Sequence, residues 1–394
     1  MKYRYPFAAI GHRLEPEIFD ILKEANNSMS TYTQGIYQSK FESDFQNKFG
    51  LKNCIAVSNA VSGIELIASE LDLKDGDEII CPAHTYCASA YPFLKVGAKI
   101  IWSDINPKTW LSGPDDYREK ITNKTKAIIV VHLYGLASEA YKIYDELKER
   151  GIIIIEDCAQ SIGSKYNGIP VGSYADFSIF SFQSHKNIST LGEGGMIAVT
   201  DENSFARMIK QRHNGHTSYN IFPDQHWKPA MSDVRKCYSS SYPSNFCMNE
   251  FQAIVGSYLL SKIDEIISIR KKKWNYARNL LSNQPNLLLQ EIPENSTSSY
   301  HLLPIRINID ISLIDEVFDK MKSFGIQCAK QYQPLYRYNL FDESASDETY
   351  NKKLLKNTDL FYDQMISLPF HESLSINDIE YMINSLIKSI QALS

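Results

Sequence analysis

Apolar residues gather in seven short runs within the first half of this sequence. The runs are 54–57, 78–81, 99–102, 127–131, 152–155, 177–182 and 196–199. Because most runs are continuous rather than alternating, they indicate strands that are buried on both faces of a sheet. Segments with helical spacing lie between several of them, as in 63–71 and 138–150. This alternation predicts an α/β fold with a mostly parallel seven-stranded sheet between helices.

The C-terminal third predicts a smaller α/β domain. It contains a strand pattern at 302–307 and helical patterns at 313–324 and 376–390. A chain of 394 residues is long enough for two domains. We expect a large domain over 1–265 and a small domain over 266–394.

A region from about 205 to 245 has a different composition, rich in Ser, Asn, His, Tyr and Pro. It carries too many aromatic residues for a flexible linker, so we interpret it as an ordered loop insertion in the large domain. The insertion proper is placed at about 216–242.

Composition and charge exclude several classes of protein. Hydrophobic residues make up 43% and charged residues 22%, as in ordinary globular proteins. The net charge of −5 and the absence of a long basic block argue against nucleic acid or an anionic membrane as a partner. Seven scattered cysteines without a C-x-x-C pair indicate reduced thiols rather than disulfides or a zinc site. With no signal peptide and no long apolar run, the sequence predicts a cytoplasmic protein.

A lysine and a carboxylate supply the candidate chemistry. Asp157 closes the run 152–155, and Lys186 follows Ser181 on a loop rich in glycine. The carboxyl ends of parallel strands meet at one rim of a sheet, where ligands bind. Alone, Asp157 is typical of a helix cap and Lys186 of a solvated surface. Together they are the two groups that an enzyme needs at least in order to use pyridoxal 5'-phosphate (PLP). The amine forms the imine, and the carboxylate keeps the pyridine nitrogen protonated.

Other residues at the same rim fit this cofactor. Gln160 lies close enough in sequence to reach a ring substituent, and Tyr86 follows a strand end, where an aromatic ring can stack on a pyridine. The small residues of 58–62 connect a strand to a helix and form a general anion site. Three histidines, His213, His216 and His226, lack a further ligand of fixed spacing, so we expect no metal.

At this point the chain resembles the DegT/DnrJ/StrS-type sugar aminotransferases, which are fold-type I PLP enzymes. The resemblance covers nearly the whole chain. The matching segments include Gly76-Asp77-Glu78, His132-Leu133-Tyr134-Gly135, Glu156-Asp157-Cys158-Ala159-Gln160, Phe180-Ser181-Phe182, Gly192-Glu193-Gly194-Gly195, Asn245-Phe246 and Tyr300-His301.

The resemblance implies a role for each matching residue. Lys186 is the catalytic lysine that binds PLP and moves the proton. The other cofactor-binding residues are Asp157 at the pyridine nitrogen, Gln160 at the ring hydroxyl, Tyr86 on the ring, and Ala60, Val61 and Ser181 at the phosphate. Asn245 resembles an asparagine that reaches the phosphate of a neighbouring subunit, which implies a homodimer with shared active sites. For the substrate we name the candidates His185, His216, Lys228, Arg235 and Tyr332.

The sequence departs from the family pattern at three places. Ala60-Val61 replaces a turn that commonly carries a threonine, Cys247 stands where an arginine is usual, and the insertion at about 216–242 is longer than usual. The insertion carries Lys228, Arg235 and Lys236, a cluster able to meet an anion. These departures surround the phosphate or the substrate and leave the lysine and the aspartate intact.

The resemblance implies transfer of an amino group from glutamate to a keto sugar in surface-polysaccharide or lipopolysaccharide biosynthesis. One candidate acceptor is the 8-keto derivative of the sugar acid Kdo (3-deoxy-manno-octulosonate). The alternative is a nucleotide-linked 3- or 4-keto-6-deoxyhexose. A sugar dehydratase of the same fold, which has histidine in place of the lysine, ranks lower although His185 precedes Lys186. A regulatory homologue without catalysis also ranks lower, because a binding protein has no need of an imine-forming amine.

Overall fold

The computed structural model describes residues 3–8, 10, 14–216, 242–341 and 355–393. Within these ranges, none of the helices combines the length and the apolar character needed to cross a membrane.

The described residues form twelve α-helices and twelve strands, besides short 3₁₀ segments. The helices are α1 (Pro16–Ser28), α2 (Ile36–Phe49), α3 (Ala60–Glu70), α4 (Tyr91–Leu94), α5 (Pro114–Arg118), α6 (Tyr144–Glu149), α7 (Glu202–Arg212), α8 (Glu250–Ser261), α9 (Ile263–Leu281), α10 (Ile314–Ser323), α11 (Lys356–Gln364) and α12 (Ile376–Gln391). The strands are β1 (Cys54–Val57), β2 (Glu78–Pro82), β3 (Lys99–Ser103), β4 (Thr125–Val131), β5 (Ile153–Asp157), β6 (Lys165–Tyr166), β7 (Ile169–Pro170), β8 (Phe177–Ser181), β9 (Gly195–Val199), β10 (Leu287–Leu289), β11 (Leu303–Ile307) and β12 (Met365–Leu368).

The predicted seven-stranded, mostly parallel sheet is confirmed. Its strand order is β1-β9-β8-β5-β4-β2-β3. Only β9 runs against the others, since it pairs antiparallel with both β1 and β8, whereas the remaining pairs are parallel. The carboxyl ends of the other six strands therefore lie at one rim, together with the start of β9.

Both faces of this sheet are buried, as the continuous apolar runs predicted. In β1, Ile55 and Val57 join the core on one face, and Cys54 and Ala56 join the core on the other. Helix α3 packs on the first face against β8 and β9, while α2 packs on the second against β1 and α8. The sheet is thus a rigid support for the side chains at its rim.

A second, antiparallel sheet of order β10-β11-β12 lies in the C-terminal part. Apolar side chains of α9, α10 and α12 cover it and form a separate core that contains Leu303, Ile366 and Met382. The small α/β unit expected there is present. The domain boundary at residue 265 remains a prediction, and α9 runs across it.

Two details of the predicted elements were wrong. The region 205–245 was taken as a loop insertion, but its first residues belong to α7, which Asp201 caps by accepting a hydrogen bond from Ser204 N. The helix predicted at 138–150 is a 3₁₀ segment over Glu139–Ile143 followed by the short α6. Most of the insertion at about 216–242 lies outside the described residues.

Candidate active site

A large cavity of about 990 Å³ opens at the rim where the strand ends meet. The β-strand ends, the start of α3 and two loops of the C-terminal part all contribute to its lining. Nine of the residues singled out in the sequence line it, namely Ala60, Val61, Tyr86, Asp157, Gln160, Ser181, His185, Lys186 and Tyr332. The structure therefore brings together residues that are more than 270 positions apart in the chain.

Asp157 is the last residue of β5 and is only 8% exposed. Its Oδ2 accepts a hydrogen bond of 2.6 Å from the hydroxyl of Ser89, and its Oδ1 accepts one of 3.0 Å from Ala159 N. The Ser89 hydroxyl in turn lies 3.0 Å from the hydroxyl of Thr85. Since Ser89 donates to the carboxylate, Thr85 donates to Ser89, and the pair orients Asp157 at the floor of the cavity.

Lys186 lies on the loop that joins β8 to β9. Backbone hydrogen bonds close this loop, from Lys186 N to Gln183 O (2.8 Å) and from Ser184 N to Gly192 O (2.9 Å). Burial lowers the pKa of the amine to about 8, although the charges of Asp157 and Glu193 act to raise it. A substantial neutral fraction near physiological pH makes this lysine a competent nucleophile and base.

The start of α3 provides an anion site on another side of the cavity. Asn59 caps the helix by accepting a hydrogen bond of 2.9 Å from Ser62 N, and Ala60 and Val61 occupy the first turn. Backbone N–H groups of a first helical turn have no partner within the helix and favour a bound anion. Gly195 keeps this turn close to the sheet, because a Cβ on it would lie 2.8 Å from Ala60 N.

Gln160 and Tyr332 form part of the cavity wall. The Gln160 side chain accepts from Tyr134 N (2.8 Å) and donates to the Tyr332 hydroxyl (2.9 Å). Tyr86 packs edge-on against Tyr332, with 5.8 Å between ring centroids. Tyr332 belongs to the C-terminal part, so these contacts join it to the wall that carries Asp157.

Two predicted site residues that the structure describes do not line the cavity, and two others are not described. Asn245 is exposed and pairs with His213, and His216 is buried away from the lining. Lys228 and Arg235 lie outside the described residues. Their roles as cofactor or substrate contacts remain predictions.

Sequence reasoning missed three residues of the cavity and its support. Ser89 holds Asp157, and His301 and His371 line the cavity from the C-terminal part. His301 belongs to a matching segment, yet the pattern gave it no role. No local signal marks Ser89, because its partner is 68 residues away in the chain.

Three buried residues at the ends of β4 and β5 lie close enough to hold a metal ion, namely His132, Glu156 and Cys158. Glu156 already accepts hydrogen bonds from the hydroxyls of Tyr141 (3.1 Å) and Tyr144 (3.0 Å) and from Gly172 N. Ser138 N donates to His132 Nδ1, so the proton of the neutral ring is on Nε2, 3.2 Å from Glu156. These contacts fit a hydrogen-bonded carboxylate in the core, and we assign no metal to the cluster.

The residues around the cavity fit PLP by their chemistry. One cavity offers an amine with a depressed pKa, a carboxylate held in place by Ser89, and free N–H groups at a helix start. The absent side chain of Gly195 leaves the space in which that helix start approaches the sheet.

Comparison with known proteins agrees with this chemistry. The family model described as DegT/DnrJ/EryC1/StrS aminotransferase family matches residues 13–387. GDP-perosamine synthase of Escherichia coli O157:H7 is 33% identical over 64% of this chain and 65% of its own length.

Solved structures share the fold over the whole chain. PseC of Helicobacter pylori, an aminotransferase involved in the biosynthesis of pseudoaminic acid, superposes with a TM-score of 0.87 at 23% identity, covering 100% of both chains. Spr1654 of Streptococcus pneumoniae in its PLP form superposes with a TM-score of 0.84 at 22% identity, covering 100% of this chain and 99% of the other. The family match over nearly the full sequence establishes what the cavity chemistry suggested, that this chain belongs to the DegT/DnrJ/EryC1/StrS aminotransferase family and is a sugar aminotransferase with PLP as its cofactor.

Proposed function

We propose that this enzyme transfers the amino group of glutamate to a keto sugar of surface-polysaccharide or lipopolysaccharide biosynthesis, and that the acceptor is the 8-keto derivative of Kdo. The observation that carries the transamination is the placement of Lys186 and Asp157 in one cavity, with the pKa of the lysine lowered to about 8. The lysine also argues against the dehydratase and the non-catalytic alternatives, which have no use for such an amine.

Lys186 moves the proton in this reaction. When bound, PLP supplies a ring that accepts electrons from the substrate carbon. The neutral Nζ of Lys186 takes the proton from the carbon that carries the amino group of glutamate. After 2-oxoglutarate has left and the keto sugar has entered, Nζ delivers a proton to the sugar carbon that receives the amino group. Asp157 keeps the pyridine nitrogen protonated, and Ser89 keeps Asp157 in position.

Several residues hold the cofactor in this proposal. The backbone N–H groups of Ala60 and Val61 and the hydroxyl of Ser181 bind the phosphate. Gln160 binds the ring hydroxyl, and Tyr86 covers a face of the ring. All five line the cavity with Lys186.

Support for an acidic sugar comes from the sequence around the substrate. Ala60-Val61 lacks the hydroxyl common at this turn, and the segment about 216–242 carries Lys228, Arg235 and Lys236. We infer that these cations meet the carboxylate of the sugar acid. The nucleotide-linked 3- or 4-keto-6-deoxyhexose stays as the second candidate, because GDP-perosamine synthase is among the relatives.

We further propose a cytoplasmic homodimer in which two copies share their active sites. Asn245 is exposed and absent from the lining of the cavity in its own chain. An asparagine in this position is free to reach the phosphate site of a second copy.

Assays with glutamate and each acceptor test the proposal. The enzyme should aminate 8-keto-Kdo, and Lys186→Ala should lower the rate at least about 1,000-fold and remove the absorbance band of the bound cofactor. Turnover of only a nucleotide-linked hexose would remove the Kdo assignment. A wild-type enzyme that binds PLP but aminates neither sugar would contradict the keto-sugar proposal as a whole.

A further inference from the structure

Two histidines flank Lys186 in the cavity. His185 precedes it in the chain, and His301 comes from the C-terminal part. His301 is 5% exposed, and its backbone is fixed at both ends. Its N–H donates to Tyr134 O (3.1 Å), and its carbonyl accepts from Arg270 Nη1 (3.0 Å). The backbone of His301 therefore has a defined position in the wall of the cavity that also contains Lys186.

The hydrogen bonds of Asn187 determine which nitrogen of His301 carries the proton. Asn187 Nδ2 donates to Ser299 O at 2.9 Å, which turns Oδ1 toward His301. Asn187 Oδ1 lies 3.2 Å from His301 Nδ1, and an oxygen of this kind only accepts. Nδ1 of His301 is therefore protonated, and Nε2 presents a lone pair. Within the part of the chain that the structure describes, the contact at Nδ1 is the one hydrogen bond of the His301 ring, so Nε2 has no partner.

His185 has the opposite arrangement. Its backbone N–H donates to Gln183 Oε1 at 2.9 Å, so the other end of this amide is the donor. Gln183 Nε2 lies 3.3 Å from His185 Nδ1 and donates to it. The proton of a neutral His185 is consequently on Nε2, which becomes a donor.

Both rings are neutral at pH 7. Burial, followed by the charges of Lys186 and Arg270, holds the pKa of His301 well below its usual value. Burial and the charge of Lys186 also lower the pKa of His185. His301 Nδ1 lies 3.2 Å from Oδ1 of Asn187, the residue after Lys186, and His185 is the residue before Lys186, so both rings belong to the same part of the cavity wall. The amine of Lys186 is thus flanked by one fixed acceptor and one donor.

We propose that His185 and His301 bind one hydroxyl group of the sugar, on the carbon next to the keto carbon, with His185 Nε2 donating to its oxygen and His301 Nε2 accepting its proton. A hydroxyl both accepts and donates, as this pair requires. A carboxylate or phosphate has no proton to donate to His301 Nε2. An ammonium group has no lone pair to accept the proton of His185 Nε2. The pair therefore selects α-hydroxy ketones and aldehydes.

This inference rests on the keto-sugar acceptor proposed above, and both candidate acceptors satisfy it. In 8-keto-Kdo the 7-hydroxyl adjoins the reacting carbon, and in a 4-keto-6-deoxyhexose the 3-hydroxyl does. The proposed selectivity thus concerns the hydroxyl next to the reacting carbon, which both candidate acceptors have.

Matched substrates and variants test the pair. The probes are 8-keto-Kdo with its 7-deoxy analogue, and a nucleotide-linked 4-keto-6-deoxyhexose with its 3-deoxy analogue. Removing the hydroxyl should lower kcat/KM of the wild type by about 10- to 100-fold, because it leaves His301 Nε2 and His185 Nε2 without partners. In His301→Phe this difference should shrink to about threefold or less, because the acceptor is gone. His185→Phe should act in the same direction, and its exposed position makes it a second variant if His301→Phe does not bind PLP.

His371→Phe is the control, because His371 lines the same cavity but pairs with Ser373 (2.8 Å). It should leave the preference for the hydroxyl as large as in the wild type. Calorimetry at pH 8 on Lys186→Ala gives a readout without turnover: the amino sugar with the hydroxyl should bind about tenfold tighter than its deoxy analogue, and His301→Phe should remove the difference.

Two outcomes overturn the inference in different ways. If the wild type uses a sugar but does not distinguish it from the deoxy analogue, or if His301→Phe weakens both equally, the pair does not bind the hydroxyl. If the wild type uses none of the four sugars, the acceptor proposal fails, and this assignment fails with it.

Discussion

At the scale of single residues, burial and neighbouring charges shift the pKa of Lys186 in opposite directions. Burial lowers the pKa to about 8, and Asp157 and Glu193 act to raise it. The amine attacks the cofactor only when it is neutral. The rate at which the apoprotein captures PLP should therefore rise about tenfold per pH unit below pH 8 and level off above it. Stopped-flow absorbance between pH 6.5 and 9.5 measures this midpoint.

Glu193→Gln provides the control for this pH dependence. Because Glu193 raises the pKa of Lys186, its neutralisation should move the midpoint to lower pH. A midpoint near 10.5 in the wild type would mean that Lys186 is solvated in the apoprotein.

Lys186 and Asp157 were predictable because each carries a local signal, a glycine-rich loop in one case and a strand end in the other. His301 and Ser89 were not. The acceptor character of His301 depends on the orientation of Asn187, 114 residues away in the chain. Ser89 acquires its role from the packing of β5 beside the segment that follows β2. A sequence pattern contains no information about such tertiary hydrogen bonds.

At the scale of elements, β5 depends on the carboxylate of Glu156, which is fully buried. Burial would raise the pKa of Glu156, but the nearby ring of His132 and hydrogen bonds from Gly172 N and the Tyr144 hydroxyl lower it below its usual value, so the group is ionised. Glu156→Gln leaves several donors with a weaker acceptor or none. We expect the free energy of unfolding to fall by about 3 kcal/mol, as measured by urea denaturation.

Glu139→Gln is the matched control for Glu156. Glu139 pairs with Lys142 at the surface, where such pairs contribute less than about 1 kcal/mol. Equal losses in the two variants would show that the buried hydrogen bonds of Glu156 do not stabilise the strand.

A second prediction at this scale concerns the contact between β9 and α3. A Cβ on Gly195 would meet Ala60 N at 2.8 Å and displace the first turn of the helix. Gly195→Ala should weaken PLP binding at least about tenfold, because the phosphate site depends on that turn. Fluorescence titration with PLP measures the change. Gly113→Ala, whose Cβ would contact only Asp116 at 3.5 Å, should bind PLP normally.

The strands of the large sheet were predictable nearly to the residue, because strands buried on both faces leave continuous apolar runs. The part of α7 from residue 205 onward was not. Its inner face buries Gln211 and Arg212 beside Met208, and Arg212 pairs with Glu42 at 2.7 Å. Polar residues on the buried face obscured the helical pattern, and composition alone then assigned these residues to the insertion.

At the scale of the whole molecule, the proposed shared site predicts complementation between two inactive variants. In a mixed dimer of Lys186→Ala and Asn245→Ala, one site is doubly altered and the other has both original residues. Coexpression at equal levels should make about half of the dimers mixed, with one intact site in each. About one quarter of all sites, and therefore about one quarter of the wild-type activity, should be restored. Each variant alone should show much less.

Sedimentation of the same samples determines whether they are dimers. Dimers without restored activity would mean that Asn245 does not reach the partner's site, and a monomeric active enzyme would contradict the shared site altogether.

The cavity has walls from two separate stretches of chain, and this has an evolutionary consequence. Within one chain, the cavity-lining residues proposed to hold the cofactor lie before position 200, whereas His301, Gln331, Tyr332 and His371 come from the C-terminal part. Mutation or recombination in the later stretch can remodel the acceptor pocket without disturbing the lysine, the aspartate or the phosphate site. A lineage built in this way can acquire new sugars while it inherits one chemistry unchanged.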